Sequence, residues 1–562
     1  MTVSQAALAL EQALGDPFRA DHGLSFSAAV ARDEAEEFPG ELVDACLAAG
    51  LQRWFVPAEL GGELRRYAEP AALLRVVARR DLTAAIALGQ SFLGSAPIWI
   101  AGSSLQQERM AELLLSGECC ALALTEEAHG SDILASELRA TPAGDGYVLE
   151  GEKWLINNAT RGAALTLFAR TAPEGGLDGF SLLMLDKAAL PGDCFTQLER
   201  KKTLGLRGAD ISGIRLTGAG LPAQALVGQL GSGLDCVLKA LQVTRAGCAS
   251  FSLGAADSAL RIVLDFAMSR RLYGGTVLDI PHARACLNDA FVDLLCCDVL
   301  AILAPRLLHL LPEQMSLMSA VVKSLVPTML ERAIRELAMV LGARHYLREG
   351  PAGGVFQKFL RDAAVVSLFD GSTAVNLELI GLQLPRLCDR RLRCDPAPLA
   401  SLFGVDQPLP DFDPGRLALL NRGRDAVVQG LPQAERGLAC LPSSELVREL
   451  QAQVGTIVRA LEELEAELAE RPAKRSWELL ELSRRYGLLY TACAVLQLWL
   501  HSRQAVNEFF EKGEWVALCL HRLLGKTPAR HPLEFAGEAR MLELYRDNRL
   551  FSLLDFALAE RE

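Results

Sequence analysis

The 562-residue sequence predicts a mainly α-helical protein with a small β domain set into its middle. Three observations carry that reading. In the N-terminal part, apolar residues recur at i, i+3 and i+4, which lays them along one face of each helix. At about residue 119 the pattern changes to alternating or short apolar runs separated by Gly, Pro and Asp, the mark of strands and hairpins. From about residue 230 long helical patterns return, and a proline-rich stretch divides them from a last helical region. The expected order is a helical N-terminal domain (1–118), a β-barrel-like middle domain (119–229), a four-helix bundle (230–395), a linker (396–410) and an additional C-terminal helical domain (411–562).

Composition narrows the classes. Half the residues are hydrophobic and 22% are charged, which favours large buried cores over disorder. A net charge of -12 without a long basic run argues against a nucleic-acid surface. The fourteen cysteines include the adjacent pairs Cys119-Cys120 and Cys296-Cys297 and form no CxxC repeat, so reduced, buried thiols and a cytoplasmic location are expected. His501, His521 and His531 lack metal-ligand spacing, and no metal site is expected. The N-terminus lacks a basic region and a long apolar core, so no signal peptide is expected. The most apolar stretch, residues 291–311, is interrupted by Asp293, Asp298, Pro305 and Arg306 and reads as a buried bundle helix.

In chain order, ELVDACLAAGL from Glu41 and EPAALLRVVARRDLTAAIAL from Glu69 are helices, joined by a loop holding Pro57, Gly61 and Gly62. The segments ALALT, SELRATPAGDGYVLEG, ALTLFAR, FSLLMLD and SGIRLTG are the strands. Three long helical patterns follow, and the stretch containing Asp370 makes a fourth, as an antiparallel bundle requires. Prolines 396, 398, 408, 410 and 414 mark the linker. Beyond it, Leu446, Leu450, Val454, Ile457, Leu461, Leu464 and Leu468 place one apolar stripe on a helix from Glu445 to Glu470 with an acidic outer face. Ser476 is placed to cap a broadly apolar helix running through Trp499, and two or three shorter helices follow. Within the fourth bundle segment, Phe369-Asp370-Gly371-Ser372 sets a lone carboxylate just before a glycine. Asp-Gly is a turn signal, so Asp370 is either a base or only a turn residue.

Seven motifs stand in one order. They are GLQRWFVPAELGG (50–62), ALALTEEAHGSD (121–132), GEKWLINNAT (151–160), TLGLRGADISGIRL (203–216), VTRAG (243–247), SRRLYGG (269–275) and LRDAAVVSLFDGST (360–373). Together with the domain order, they resemble the acyl-CoA dehydrogenase family over roughly residues 35–395. The helical region after the linker is similar in size and placement to that of the very-long-chain branch.

The resemblance implies FAD and α,β-dehydrogenation of an acyl thioester carried by CoA or an acyl-carrier protein. It also implies transfer of electrons to an electron-transfer flavoprotein or another acceptor, and a homodimer. The family's Glu base is Asp370 here, shorter by one methylene, or about 1.3 Å. In some members the base precedes the bundle arginine; here that residue is Thr244, so no second carboxylate is available. Thr125 and Asn157 match flavin-contacting positions, Leu155 stands where the family has Trp, and Ser131 matches the Ser between pyrophosphate and thioester arm. Trp154, one residue earlier, is expected to face the other side of its strand. The usual Pro-Gly-Ala is Glu127-Ala128-His129. Arg270, with Tyr273 beside it, matches the arginine that a neighbouring subunit sends to the flavin pyrophosphate. Met339 replaces the glutamine at the adenosine end, and Gly342 with Ala343 replaces the following glycine pair. Arg245 resembles the arginine near the substrate carbonyl and pantetheine. Thr244 and Gly371 are assigned to substrate and Ser372 to cofactor. Gln242 replaces the family's acidic residue, a loss that a carrier-protein-tethered group would tolerate. Two alternatives remain: altered flavin chemistry, either oxygenation or desaturation elsewhere on the chain, and a catalytically silent binding or assembly protein. The C-terminal domain is expected to pack across a subunit interface or to offer an amphipathic face to a membrane, although its acidic helix argues against an anionic one.

Overall fold

A computed structural model describes residues 4–20, 22–388, 398–470, 477–525 and 532–560. Six helices open the chain: α1 (Gln5–Leu14), α2 (Phe26–Glu34), α3 (Gly40–Ala48), α4 (Ala68–Ala78), α5 (Leu82–Ala101) and α6 (Ser104–Leu115). Side chains set several of their starts. Ser4 and Ser25 accept backbone N–H bonds at the heads of α1 and α2, and Asp81 accepts that of Thr83. Ser103 and Gln106 close a reciprocal capping box on α6. Among the described residues, α5 is the one helix long and apolar enough to cross a membrane, and most of it is buried inside the protein. It lies against the sheet: a Cβ on Gly94 would meet the Ala121 backbone at 2.7 Å.

Eight strands follow: β1 (Cys120–Ala123), β2 (Arg139–Ala143), β3 (Gly146–Asn157), β4 (Ala164–Arg170), β5 (Phe180–Asp186), β6 (Phe195–Leu198), β7 (Ile211–Pro222) and β8 (Leu226–Val227). They form one mixed sheet in the order β6-β7-β3-β2-β4-β5-β8, with β1 beside β4. Both β1 and β2 run parallel to β4, and the other pairs are antiparallel.

The bundle is built on α7 (Gly233–Ser269), α8 (Pro281–Leu310) and α9 (Met315–Leu341). The segment 291–311 falls almost wholly within α8 and is mostly buried. Between α7 and α8 projects a hairpin, β9 (Arg271–Leu272) and β10 (Gly275–Thr276), turned by Tyr273 and Gly274 at φ 53° and 87°. The fourth bundle member is not one helix. It splits into α10 (Val355–Ala363) and α11 (Thr373–Gly381), because Asp370 and Gly371 take left-handed φ of 54° and 86°, which a right-handed helix cannot continue.

α12 (Leu384–Leu387) follows, and residues 389–397, including the first two of the expected linker, lie outside the described residues. The described part of the linker, 398–410, is packed against the bundle. In it, α13 (Leu399–Phe403) buries Leu399, Leu402 and Phe403. Buried Arg306 of α8 gathers carbonyls of the same segment: Leu402 at 2.9 Å, Ser401 and Gly404 at 2.5 Å, Gln407 at 3.3 Å and Val405 at 3.5 Å. The C-terminal helices are α14 (Ala426–Gln429), α15 (Leu431–Ala439), α16 (Glu445–Glu470), α17 (Trp477–Ser502), α18 (Glu508–Lys512), α19 (Glu514–Leu523) and α20 (Pro532–Arg546). α16 has the bounds its stripe implies, and α17 is largely buried. The cap assigned to Ser476 and the residue His531 fall outside the described residues. The tail after α20 returns to α1 and to the bundle helices α7 and α8. Ala559 N–H donates to Glu11, Phe551 N–H to Asp257 and Leu553 N–H to Asp298, all buried. The cysteines among the described residues are free thiols.

Candidate active site

The break between α10 and α11 is held from several sides. Arg245 Nε donates to the Asp370 carbonyl at 2.6 Å, and its Nη2 fills the space where a Cβ on Gly371 would stand at 2.5 Å. Only glycine fits there. Asn376 Nδ2 donates to the carbonyls of Gly371 (2.8 Å) and Ser372 (2.9 Å), and Ser372 Oγ caps α11 through Val375 N–H at 3.4 Å. The Asp370 carboxylate itself receives one weak donor, Cys248 Sγ at 3.8 Å. Below the loop lies Lys323, buried in α9; it donates to the Val366 carbonyl and sits 4.9 Å from the Phe369 ring centre.

The electrostatics follow from burial. Desolvation pushes the Asp370 carboxyl above the usual range, against the opposing pull of Lys323 and Arg245. Burial likewise lowers Lys323 and Arg245, and it raises the Cys248 thiol to about 12. A carboxylate this poorly served by donors holds its proton more readily than an exposed one.

Asp370 lines a small cavity between α4, α5, α7 and the break, walled mainly by apolar side chains. Thr244 is part of this wall; its hydroxyl donates back to the Leu241 carbonyl at 3.4 Å. At one end Phe251 packs so close to α5 that a Cβ on Gly89 would lie 2.7 Å from its ring. At another, Tyr67 packs edge-on to Phe412 with ring centres 5.0 Å apart, so the segment after α13 backs this wall residue. His309 fixes that segment: its Nε2 accepts Tyr67 N–H at 3.3 Å, which leaves Nδ1 to donate to the Pro410 carbonyl at 2.9 Å. Gln242 is engaged there too, donating to the Ala418 carbonyl at 2.9 Å.

A second polar group sits on the sheet. Thr125 accepts Trp154 N–H at 2.9 Å, joining the loop after β1 to β3. In β3, Leu155 is an inserted bulge residue at φ 58°, with Trp154 paired to Gly213 and Ile156 to Ser212. The insertion resets the alternation, so Trp154 and Asn157 share a face. This corrects the expectation that Trp154 points the wrong way. On that face the buried Trp154 Nε1 and Asn157 Oδ1 have no partner within the chain, while Leu155 is 42% exposed. A donor and an acceptor left open on one face of the strand fit the polar edge of a flavin. Glu126 organises the loop beneath. It accepts Lys153 Nζ at 2.7 Å, Glu137 N–H at 2.7 Å, Leu138 N–H at 3.1 Å and the Ser136 hydroxyl. Burial pushes its carboxyl up, but Lys153 and these donors outweigh burial and hold it below the usual range, while burial lowers Lys153 to about 8.

The remaining sequence-derived residues lie outside these two clusters. Ser131 is exposed on the loop after Thr125. Arg270 is exposed at the end of α7, and Tyr273 is 97% exposed on the hairpin. Gly342 caps α9 at φ 60° near exposed Met339. No group of metal-ligating side chains occurs among the described residues. The sequence reading missed Lys323, Cys248 and the Glu126–Lys153 pair. Of these, Lys323 carried a signal, since it is the lone cation in the apolar run SLMSAVVKSLVP. Nothing in the sequence separates Glu126 from Glu127.

Comparison with known proteins covers most of this architecture. Family models match residues 24–118 as the acyl-CoA dehydrogenase N-terminal domain, 121–219 as its middle domain and 231–384 as its C-terminal domain. Cyclohex-1-ene-1-carbonyl-CoA dehydrogenase of Geobacter metallireducens is 28% identical over 355 residues, 63% of this chain and 91% of its own. The butyryl-CoA dehydrogenase of Megasphaera elsdenii superposes with a TM-score of 0.62 at 21% identity, over 68% of this chain and 99% of that one. A prolyl acyl carrier protein oxidase superposes with a TM-score of 0.61 at 21% identity, over 68% and 98%.

Proposed function

The chain belongs to the acyl-CoA dehydrogenase family, whose members are flavin oxidoreductases, and from that premise we propose that it α,β-dehydrogenates an acyl thioester with Asp370 as the base. The observation that carries the reading is the Asp370 carboxyl on the wall of an apolar cavity, raised by burial and served by one thiol. The α proton of the acyl group passes to that carboxylate, and a double bond forms between Cα and Cβ. FAD bound against the Trp154–Asn157 face would accept the two electrons and the β hydrogen as hydride. Trp154 Nε1, Asn157 Oδ1 and Thr125 would hold its ring edge, and Arg270 its diphosphate. Ser131, Leu155, Tyr273, Gly342 and Ser372 complete the proposed cofactor set. Arg245 positions the base by holding the Asp370 carbonyl, and Thr244 and Gly371 line the path of the thioester. The apolar walls exclude water, which keeps the base unsolvated and reactive.

Because Gln242 is neutral and its Nε2 is engaged by the Ala418 carbonyl, recognition on that side does not depend on a charged side chain there. We therefore propose a phosphopantetheine thioester as substrate, on CoA or an acyl-carrier protein. A cytoplasmic homodimer that passes electrons to an electron-transfer flavoprotein or a similar acceptor completes the reading, since Arg270 and Tyr273 project outward.

The test is anaerobic bleaching of the flavin absorbance by hexanoyl-CoA or a hexanoyl-carrier protein. Asp370→Asn should retain flavin while bleaching slows by about 10²–10⁴-fold, the usual contribution of a positioned base. Undiminished bleaching by that variant overturns the assignment.

A further inference from the structure

The wall of the Asp370 cavity holds a polar side chain that neither the fold nor the proposed proton transfer uses. Gln90 of α5 lines this cavity and is only 9% exposed, yet its amide makes no hydrogen bond among the described residues. We propose that Gln90 selects the acyl group: it hydrogen-bonds a neutral polar group, most simply a hydroxyl, carried by a short acyl chain beyond its reacting carbons.

The surroundings of Gln90 set it apart. Its neighbours on α5 are satisfied: Ser91 accepts Cys120 N–H at 3.4 Å, and Ser95 donates to the Phe92 carbonyl at 3.1 Å. On the cavity wall, Thr244 donates to the Leu241 carbonyl and Cys248 to Asp370. Gln90 is also the one amide side chain in the apolar run of α5. A buried amide without a partner forfeits the hydrogen bonds that water gives it in the unfolded chain, so a ligand that supplies a partner recovers them. One placed polar group in an apolar pocket fixes both the orientation and the identity of what binds. The charges nearby favour a neutral group. A carboxylate on the acyl chain would bring a second negative charge to Asp370, and an ammonium would pair with Asp370 and weaken it as a base. An amide presents an N–H donor and a carbonyl acceptor, and a hydroxyl can use either. Length is limited as well. Phe251 closes the cavity against Gly89, the residue just before Gln90.

The inference rests on reading the Asp370 cavity as an acyl pocket, so its test uses binding and not turnover. S-(3-hydroxypropyl)-, S-(4-hydroxybutyl)- and S-(5-hydroxypentyl)-pantetheine are compared with S-butyl-, S-pentyl- and S-hexyl-pantetheine. Each pair matches in non-hydrogen atoms, and all lack the thioester carbonyl and cannot be dehydrogenated. Binding to the flavin-loaded protein is measured by calorimetry. At least one hydroxyalkyl compound should bind about tenfold more tightly than its alkyl match, as a hydrogen bond to an otherwise unsatisfied buried group implies. Gln90→Leu should reverse that order, weakening the hydroxyalkyl compound about tenfold while its alkyl match binds as well or better. Gln90→Met gives the same reversal if the Leu variant fails to fold. A preference that is absent from the unaltered protein, or that survives the loss of the amide, overturns the assignment. Failure of both series to bind overturns the acyl-pocket reading and this inference with it. Loss of the Asp370 base assignment alone shows in the bleaching assay and leaves the discrimination by Gln90 intact.

Discussion

Two carboxylates, buried Glu11 and half-buried Asp370, meet opposite treatment in this protein. Glu11 accepts Arg79 Nη1 at 2.9 Å, Arg80 Nη1 at 2.6 Å and Ala559 N–H at 3.2 Å. Burial raises its carboxyl, but the two arginines more than reverse that, and it falls to about 2. Asp370 faces cations at longer range and one thiol, and its carboxyl stays raised. The first arrangement binds the ends of the chain together. The second leaves a carboxylate able to take a proton, in a strained left-handed turn beside a cavity. Satisfaction by donors, together with burial, separates a structural carboxylate from a candidate base.

The contrast is broken most forcefully at Glu11. Glu11→Ala leaves Arg79 and Arg80 buried without their carboxylate and should cost about 3–5 kcal/mol in chemical denaturation. Asp370→Asn should cost nothing at neutral pH in the same experiment, because it removes an unfavourable buried charge. Equal losses would erase the distinction.

Acid titration sharpens it. Glu11 has a folded value near 2 against 4.5 for the exposed group. Its stabilisation, about 3 kcal/mol, is therefore present above pH 4.5 and is lost as pH falls toward 2. Asp370 has the opposite sign: its ionisation costs stability as pH rises through its raised value, and the proposed base role needs that same ionisation. Flavin bleaching should therefore fail on acidification before the fold does, as followed by absorbance and circular dichroism on one sample.

On the sheet side the Glu126–Lys153 pair resembles Glu11 more than Asp370. Lys153→Met should cost about 2–3 kcal/mol, below the full value for a broken buried pair, because Glu126 keeps its hydroxyl and amide donors. The smallest effect on the fold is expected at Arg270. Arg270→Ala should change stability by less than about 0.5 kcal/mol yet weaken FAD retention by about 10–100-fold, as loss of a charge-assisted bond implies. A fluorescence titration of released flavin reads this directly.

Much of this was legible in the sequence because the signals are local. Helical stripes such as that of α16, the change of period near residue 119 and the Asp-Gly pair each need only neighbouring residues. The turn and base readings of Asp370 proved compatible, since the turn is what presents the carboxylate. What sequence could not reveal depends on distant partners. Lys323 lies beneath Asp370 only because α9 packs there, and Arg306 draws the supposed linker into the core. The facing of Trp154 hinges on one inserted residue, Leu155, and a single bulge reverses every inference from alternation beyond it.

The carbonyls around Arg306 also bear on how the protein is made. Those acceptors lie 95 to 101 residues further along the chain. At about 5–20 residues per second, α8 waits roughly 5–20 s on the ribosome before its guanidinium finds them. Until then a cation stands among apolar helices and Tyr67 lacks its Phe412 neighbour. The catalytic bundle is therefore not a finished folding unit when its own last helix is complete. Chains stalled between residues 385 and 407 should be the ones that chaperones capture.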